Sequence, residues 1–160
     1  MKKILFVCSG NIFRSLTAEL CANRYILESN IKAVQVKSAG TVVPSEHVRP
    51  VVIAALKELG LDSSLHKPTR FTLESACLDT TIIAMGLDHQ RHLAEKFNVQ
   101  SQLFNQVAGV SDSPVLDVHE ALPAELLHTE KGTEYIKATI EYINDTIPAV
   151  VENVLKPNHR

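Results

Sequence analysis

Short apolar runs alternate along this chain with longer segments whose apolar positions recur at helical spacing. Lys3 to Val7 is an apolar run followed at once by Ser9-Gly10-Asn11, and strand formers are scarce from Ser15 to about Glu28. That order predicts a strand, a tight loop and a helix. A second β-branched stretch, Ala33 to Lys37, ends in Ser38-Ala39-Gly40-Thr41, and helical spacing from about Val48 to Leu59 stops at Gly60. Thr80 to Met85 predicts a third strand, about Asp88 to Phe97 a helix, and Gln102 to Val107 a fourth strand. Thr133 to about Leu155 predicts a long final helix that Pro148 should kink or split, because proline removes a helical hydrogen bond and clashes one turn back. Gly109 to Lys131, with Pro114, Pro123 and several acids, fits neither period and reads as a functional loop or a locally disordered one.

Strands alternating with helices in a chain of 160 residues predict an α/β fold: a three-layer, doubly wound sandwich with a four-stranded parallel sheet and helices on both faces. No internal repeat, low-complexity tract or interdomain linker interrupts the pattern, so residues 1–160 are expected to form one domain. A chain of this length buries about two-thirds of its unfolded surface, and no metal or disulfide framework is required. Ligands of such folds sit at the carboxyl ends of the strands, which directs attention to the loop after Val7.

Composition narrows the function mainly by exclusion. No apolar run approaches the ~20 residues that span a bilayer, and polar Ser9 and Asn11 and then Arg14 interrupt the apolar start too soon for a signal peptide. Membrane insertion is therefore not expected. A formal net charge of −2 offers no basic footprint for nucleic acid. Cys8, Cys21 and Cys77 are odd in number and lack metal-ligand spacing, which predicts free thiols and a cytoplasmic location.

The candidate chemistry lies in Cys8-Ser9-Gly10-Asn11-Ile12-Phe13-Arg14-Ser15. Backbone N–H groups of a tight loop that opens onto a helix amino terminus converge on an anion. Gly10 permits conformations denied to other residues, and Asn11 tolerates a left-handed one. Arg14 can grip two oxygens of a phosphate with its planar fork, and a guanidinium beside a helix terminus favours the thiolate of Cys8. Ser15 is placed to donate to that sulfur. Residues 8–15 are thus expected to bind phosphate, with Cys8 as nucleophile. The plainer reading makes Cys8 a small buried residue ending a strand and Ser15 a helix cap.

These residues resemble the signature of the low-molecular-weight protein tyrosine phosphatases, a Cys-x-Gly-Asn-x-Cys-Arg-Ser-Pro loop followed by Ala-Glu in the first helix. Cys8, Gly10, Asn11, Arg14, Ser15, Ala18 and Glu19 stand at matching places. Ser38 to Thr41 resembles that family's exit from its second strand, Val48 to Asp62 its second helix, His66 its His-x-Ala-Arg segment, and Asp79 to Met85 its third strand. The resemblance implies hydrolysis of a phosphate monoester through a phosphocysteine, with a phosphorylated protein or small phosphate monoester as partner and no cofactor. It also implies that Asn11, Ser15, Ser38 and His66 form a hydrogen-bond network supporting the loop.

The general acid is harder to place, because the family's Asp-Pro-Tyr motif is missing. Asp117 is the expected acid, since Val115-Leu116 resembles the family's apolar approach to it; Asp112, before Ser113-Pro114, is the alternative. Phe13 replaces the second cysteine of the loop, so the reversible disulfide beside the nucleophile is unavailable, and Leu16 replaces proline. Val42, Val43, Val118 and His119 stand where the family places aromatics around its phenyl slot. Ile12 resembles members acting on phosphotyrosine, those acting on phosphoarginine tending to carry threonine. A thioredoxin-coupled arsenate reductase needs a cysteine pair beyond the third strand, which is lacking; a phosphate-binding module without turnover is the other alternative.

Overall fold

The computed structural model describes residues 1–42 and 47–157. Its sheet contains β1 (Lys2–Cys8), β2 (Val34–Gly40), β3 (Thr80–Ala84) and β4 (Gln102–Leu103), all parallel, in the order β2-β1-β3-β4. The chain therefore winds outward from β1 in two directions, and the switch between β1 and β3 opens a crevice at their carboxyl ends. Register places Cys8 beside Gly40 and Val7 beside Ala84.

Alternation along the strands divides the core. Ile4, Phe6 and Cys8 face one layer together with Ile83, whereas Leu5 and Val7 face the other with Ile82. The first layer is built by α1 (Arg14–Glu28), α2 (Pro50–Glu58), α4 (Phe104–Ala108) and α6 (Glu130–Leu155). On the opposite face Leu93 and Phe97 of α3 (Leu87–Phe97) pack with Phe71, whose ring meets Phe97 edge-on at 4.9 Å. The three-layer, doubly wound arrangement expected from the alternation is the one observed.

Three local expectations need correction. The predicted fourth strand, Gln102 to Val107, is strand only over Gln102–Leu103. Phe104, Val107 and Ala108 are buried at helical spacing, and the Gln106 side chain caps the turn by accepting from the Leu103 N–H at 3.0 Å. Pro148 does not split the last helix, which runs unbroken from Glu130 to Leu155. One interior proline costs about 3 kcal/mol; burial of Ile136, Ile140, Ile143, Ile147, Val150 and Val151 along one stripe stabilises the helix by on the order of 10 kcal/mol and prevails. The irregular stretch from Gly109 to Lys131 is ordered by a short helix, α5 (Val118–Ala121), and a 3₁₀ turn at Ala124–Leu126. No described helix is long and apolar enough to cross a membrane.

Candidate active site

The loop between β1 and α1 occupies the crevice predicted by topology. Asn11 adopts the left-handed conformation at φ 56°, and Phe13, not Ser15, is the residue before the first helical turn. Phe13 offers no capping side chain. Among the described residues, none of the N–H groups of Ser9, Gly10, Asn11, Ile12 and Phe13 has a hydrogen-bond acceptor. A cluster of uncommitted donors at a helix amino terminus is suited to an oxyanion.

The loop is held from β2 and from the segment after α2. A β-carbon on Gly40 would lie 2.4 Å from the Ser9 carbonyl, so only glycine lets β2 approach this closely. The Thr69 N–H donates to Asn11 Oδ1 at 3.0 Å, which fixes the orientation of the amide. Asn11 Nδ2 must then donate to the hydroxyls of Ser15 at 2.9 Å and Ser38 at 2.8 Å. The Ser38 hydroxyl in turn donates a hydrogen bond to the Glu19 carboxylate. The Ser15 hydroxyl also contacts Cys8 Sγ at 2.9 Å. His66 Nε2 donates to the Asn11 carbonyl at 2.7 Å. Asn11, Ser15, Ser38 and His66, grouped from sequence by resemblance, thus meet at Asn11, whose side-chain amide contacts Ser15 and Ser38 and whose backbone carbonyl accepts from His66, with Glu19 and Thr69 as additional members.

Cys8 is 3 % exposed at the bottom of this loop, and Arg14 is 1 % exposed beside it. Arg14 Nη1 donates to the Val115 carbonyl at 2.9 Å and lies 3.4 Å from Glu120, while Nη2 pairs with Asp117 Oδ2 at 3.1 Å. Arg14 Nε has no partner among the described residues. Asp117 caps α5, accepting from the Val118 N–H at 2.6 Å and returning its own N–H to Glu120 at 2.9 Å. Asp112 lies elsewhere, exposed and bonded to Gln106 at 3.2 Å. The structure therefore brings Asp117, and not Asp112, to the loop arginine. Of the residues expected to wall the slot, Val118 is buried, Val42 and His119 are exposed, and Val43 lies outside the described residues. Burial pushes the Cys21 thiol up to about 12, leaving it inert, and Cys77 is exposed at the start of β3, away from the loop.

Sequence reasoning missed His89. Placed in the first turn of α3 at the exit of β3, it reaches across the switch point to Ser9 Oγ at 2.8 Å and is 1 % exposed. Its signal was the topological rule itself, which makes the loop after β3 the neighbour of the loop after β1. Burial, assisted by the nearby Arg14 charge and only partly opposed by Asp88 and Asp117, lowers its pKa to about 4. The unfolded chain consequently binds one more proton than the folded one between about pH 6.5 and 4, so this residue's contribution to stability falls as pH falls through that window. The loss amounts to about 3 kcal/mol. Urea unfolding of wild type and His89→Gln at pH 7.5 and pH 4.5 checks this: the wild type should lose more stability than the variant, and an equal loss would contradict the assignment.

The family description "Low molecular weight phosphotyrosine protein phosphatase" matches residues 3–157. The chain belongs to this family. It is accordingly a phosphatase by class, as the cysteine-arginine loop implied. Among solved structures it is similar to the low molecular weight protein tyrosine phosphatase from T. tengcongensis, with 26% identity, 95% of this chain and 99% of that chain covered, and a TM-score of 0.76. A mutant of YwlE from Bacillus subtilis shares 23% identity over 98% of this chain and 100% of its own, with a TM-score of 0.80. The YwlE arginine phosphatase from Geobacillus stearothermophilus shares 22% identity over 96% and 93%, with a TM-score of 0.77. At such identities the YwlE likenesses describe the fold.

Proposed function

We propose that this phosphatase hydrolyses protein phosphotyrosine through a phosphocysteine formed on Cys8. The observation that carries the reading is the contact between Cys8 Sγ and Ser15 Oγ within a loop that also contains uncommitted N–H groups and the buried Arg14. In the first step the thiolate attacks phosphorus, the bond from phosphorus to the ester oxygen breaks, and Asp117 supplies the proton that oxygen needs. Arg14 hands one donor from Asp117 to the phosphate, which frees the carboxyl group for the leaving oxygen. In the second step water attacks phosphorus, the Asp117 carboxylate takes its proton, and the sulfur departs as thiolate onto the Ser15 hydroxyl. Phosphate is released and the enzyme is restored.

The loop amides and Arg14 stabilise the charge that spreads over the equatorial oxygens, and Asn11 with its four partners holds those amides in place. Neither step calls on a cofactor, and the expected setting is cytoplasmic. Phosphotyrosine is favoured over phosphoarginine by Ile12, whose apolar side chain lines the cleft leading to the loop. Steady-state assays of the wild type with p-nitrophenyl phosphate, a phosphotyrosine peptide and a phosphoarginine peptide at mildly acidic pH test this. The tyrosine peptide should exceed the arginine peptide at least about tenfold in kcat/KM, a difference of about 1.4 kcal/mol. The reverse order would overturn the substrate assignment, and failure of every ester would favour a phosphate-binding module.

A further inference from the structure

We propose that the cleft beside the phosphate loop contains a second anion subsite centred on Arg49, which holds an acidic side chain next to the phosphotyrosine of a protein substrate. The inference rests on the phosphatase reading and gives the same site its selectivity. Arg49 occupies the position preceding α2, with extended backbone at φ −65° and ψ 143° and no side-chain capping bond. At that position Ser, Thr, Asp or Asn would satisfy a free N–H group, and a positive charge meets the positive end of the helix. The residue is therefore poor for the helix, and residues that break a local rule tend to serve a site.

The cleft has a volume of about 380 Å³ and is lined by Ile12 and Phe13 of the loop together with Asp117, His119, Arg49 and His128. Arg49 Nη2 lies 3.3 Å from His128 Nδ1. A guanidinium has no acceptor, so this nitrogen of His128 accepts and its other nitrogen carries the proton, a further donor. Neither Arg49 nor His128 has a carboxylate partner among the described residues. The acid of the cleft, Asp117, is committed to Arg14 and to the Val118 N–H, with His119 3.7 Å from it. Among the described residues around Arg49 and His128, donors consequently outnumber acceptors.

An incoming carboxylate matches the planar fork of Arg49. The volume is of the size that takes a ring and a neighbouring side chain. Val52 and Ile136 make part of the wall apolar, which suits a peptide better than the hydroxyls of a sugar bisphosphate.

The test compares kcat/KM for three substrates: a phosphotyrosine peptide flanked by glutamates, the same peptide flanked by glutamines, and a sugar bisphosphate. Wild type should favour the acidic over the neutral peptide about tenfold at low salt, with the ratio falling as salt rises. Arg49→Ala should bring that ratio to about one, Arg49→Glu below one, and Arg49→Lys should keep part of the preference. Lys96→Glu, which makes the same charge change at an exposed residue outside the cleft, should leave the ratio intact. Equal turnover of both peptides by wild type would overturn the subsite while leaving the phosphatase reading intact. A sugar bisphosphate preferred over the acidic peptide, with Arg49→Ala abolishing the preference, would overturn the peptide as occupant. If no ester turned over, p-nitrophenyl phosphate included, the phosphatase reading itself would fail and the subsite with it.

Discussion

Cys8→Ser is expected to abolish turnover of every phosphate ester while oxyanion binding persists. The substitution exchanges a sulfur nucleophile for a hydroxyl that has no base within reach, since its close side-chain partner among the described residues, Ser15, is itself a hydroxyl. The loss should be on the order of 10⁴-fold or more, as when a nucleophile is removed from an otherwise intact site. Binding should survive because the N–H groups of the loop, Arg14, and the Asn11 network do not depend on sulfur. Calorimetric titration with tungstate or phosphate measures the second half of the expectation. Turnover within tenfold of wild type would sink the nucleophile assignment, and loss of anion binding would show that sulfur shapes the loop as well as reacting in it.

The second large effect concerns Asp117, and it is selective. If Asp117 protonates the departing oxygen, Asp117→Asn should slow esters of simple phenols and alkyl alcohols by about 10²–10⁴-fold. In kcat/KM, which reports the first step alone, esters of p-nitrophenol, which leaves readily without a proton, should be affected far less. The contact between Asp117 and Arg14 at 3.1 Å adds a consideration: the variant also removes a charge facing the arginine, which alters binding of all esters alike. The dependence on leaving group, taken as a slope across a series, separates the two effects. Asp112→Asn is the control, because Asp112 contacts Gln106 and not the loop. Equal slopes for the two variants would remove Asp117 from the role.

Much of this architecture was legible in the chain because local and global preferences agree. The apolar run before Cys8, the glycine and asparagine after it, and the helical segment beyond define a strand, a turn and a helix, and the first-turn arginine follows from that order. The fold class then placed the loop at the carboxyl end of the first strand without coordinates, and the strand order puts that end at the switch point. The fourth strand was misread because an apolar run as short as Gln102 to Val107 suits either period, and only packing of Phe104, Val107 and Ala108 against the final helix decides. Pro148 does not split α6 because its cost is local, whereas the buried stripe that outweighs it becomes measurable only when α6 is packed.

The site divides in a similar way. Cys8, Asn11, Arg14 and Ser15 lie within eight consecutive residues, where the loop between a strand and a helix gives their spacing its meaning and the family resemblance adds the network role of Asn11 and Ser15. Ser38 and His66 were reached by family resemblance, and the structure supplies the physical reason: Ser38 meets the Asn11 side-chain amide oriented by the Thr69 N–H, and His66 holds the Asn11 backbone carbonyl. His89 and Arg49 gave no such signal. A histidine in a helix and an arginine before a proline are ordinary until the fold sets one against Ser9 and the other in the cleft. Glu120 belongs with them, since its contacts with Arg14 and with the Asp117 N–H exist only once α5 has formed.

The account stands on a covalent intermediate at Cys8, and rapid acid quench followed by mass spectrometry of the Cys8 peptide tests it most directly. Asp117→Asn turning over p-nitrophenyl phosphate is the suitable enzyme, because phosphorylation of the sulfur proceeds without an acid while water attack lacks its base. A phosphoryl group should appear on Cys8 within the first turnover and accumulate until substrate is exhausted. Release of p-nitrophenol with no phosphoryl group on Cys8 at any quench time, or with the group on another residue, would contradict the mechanism.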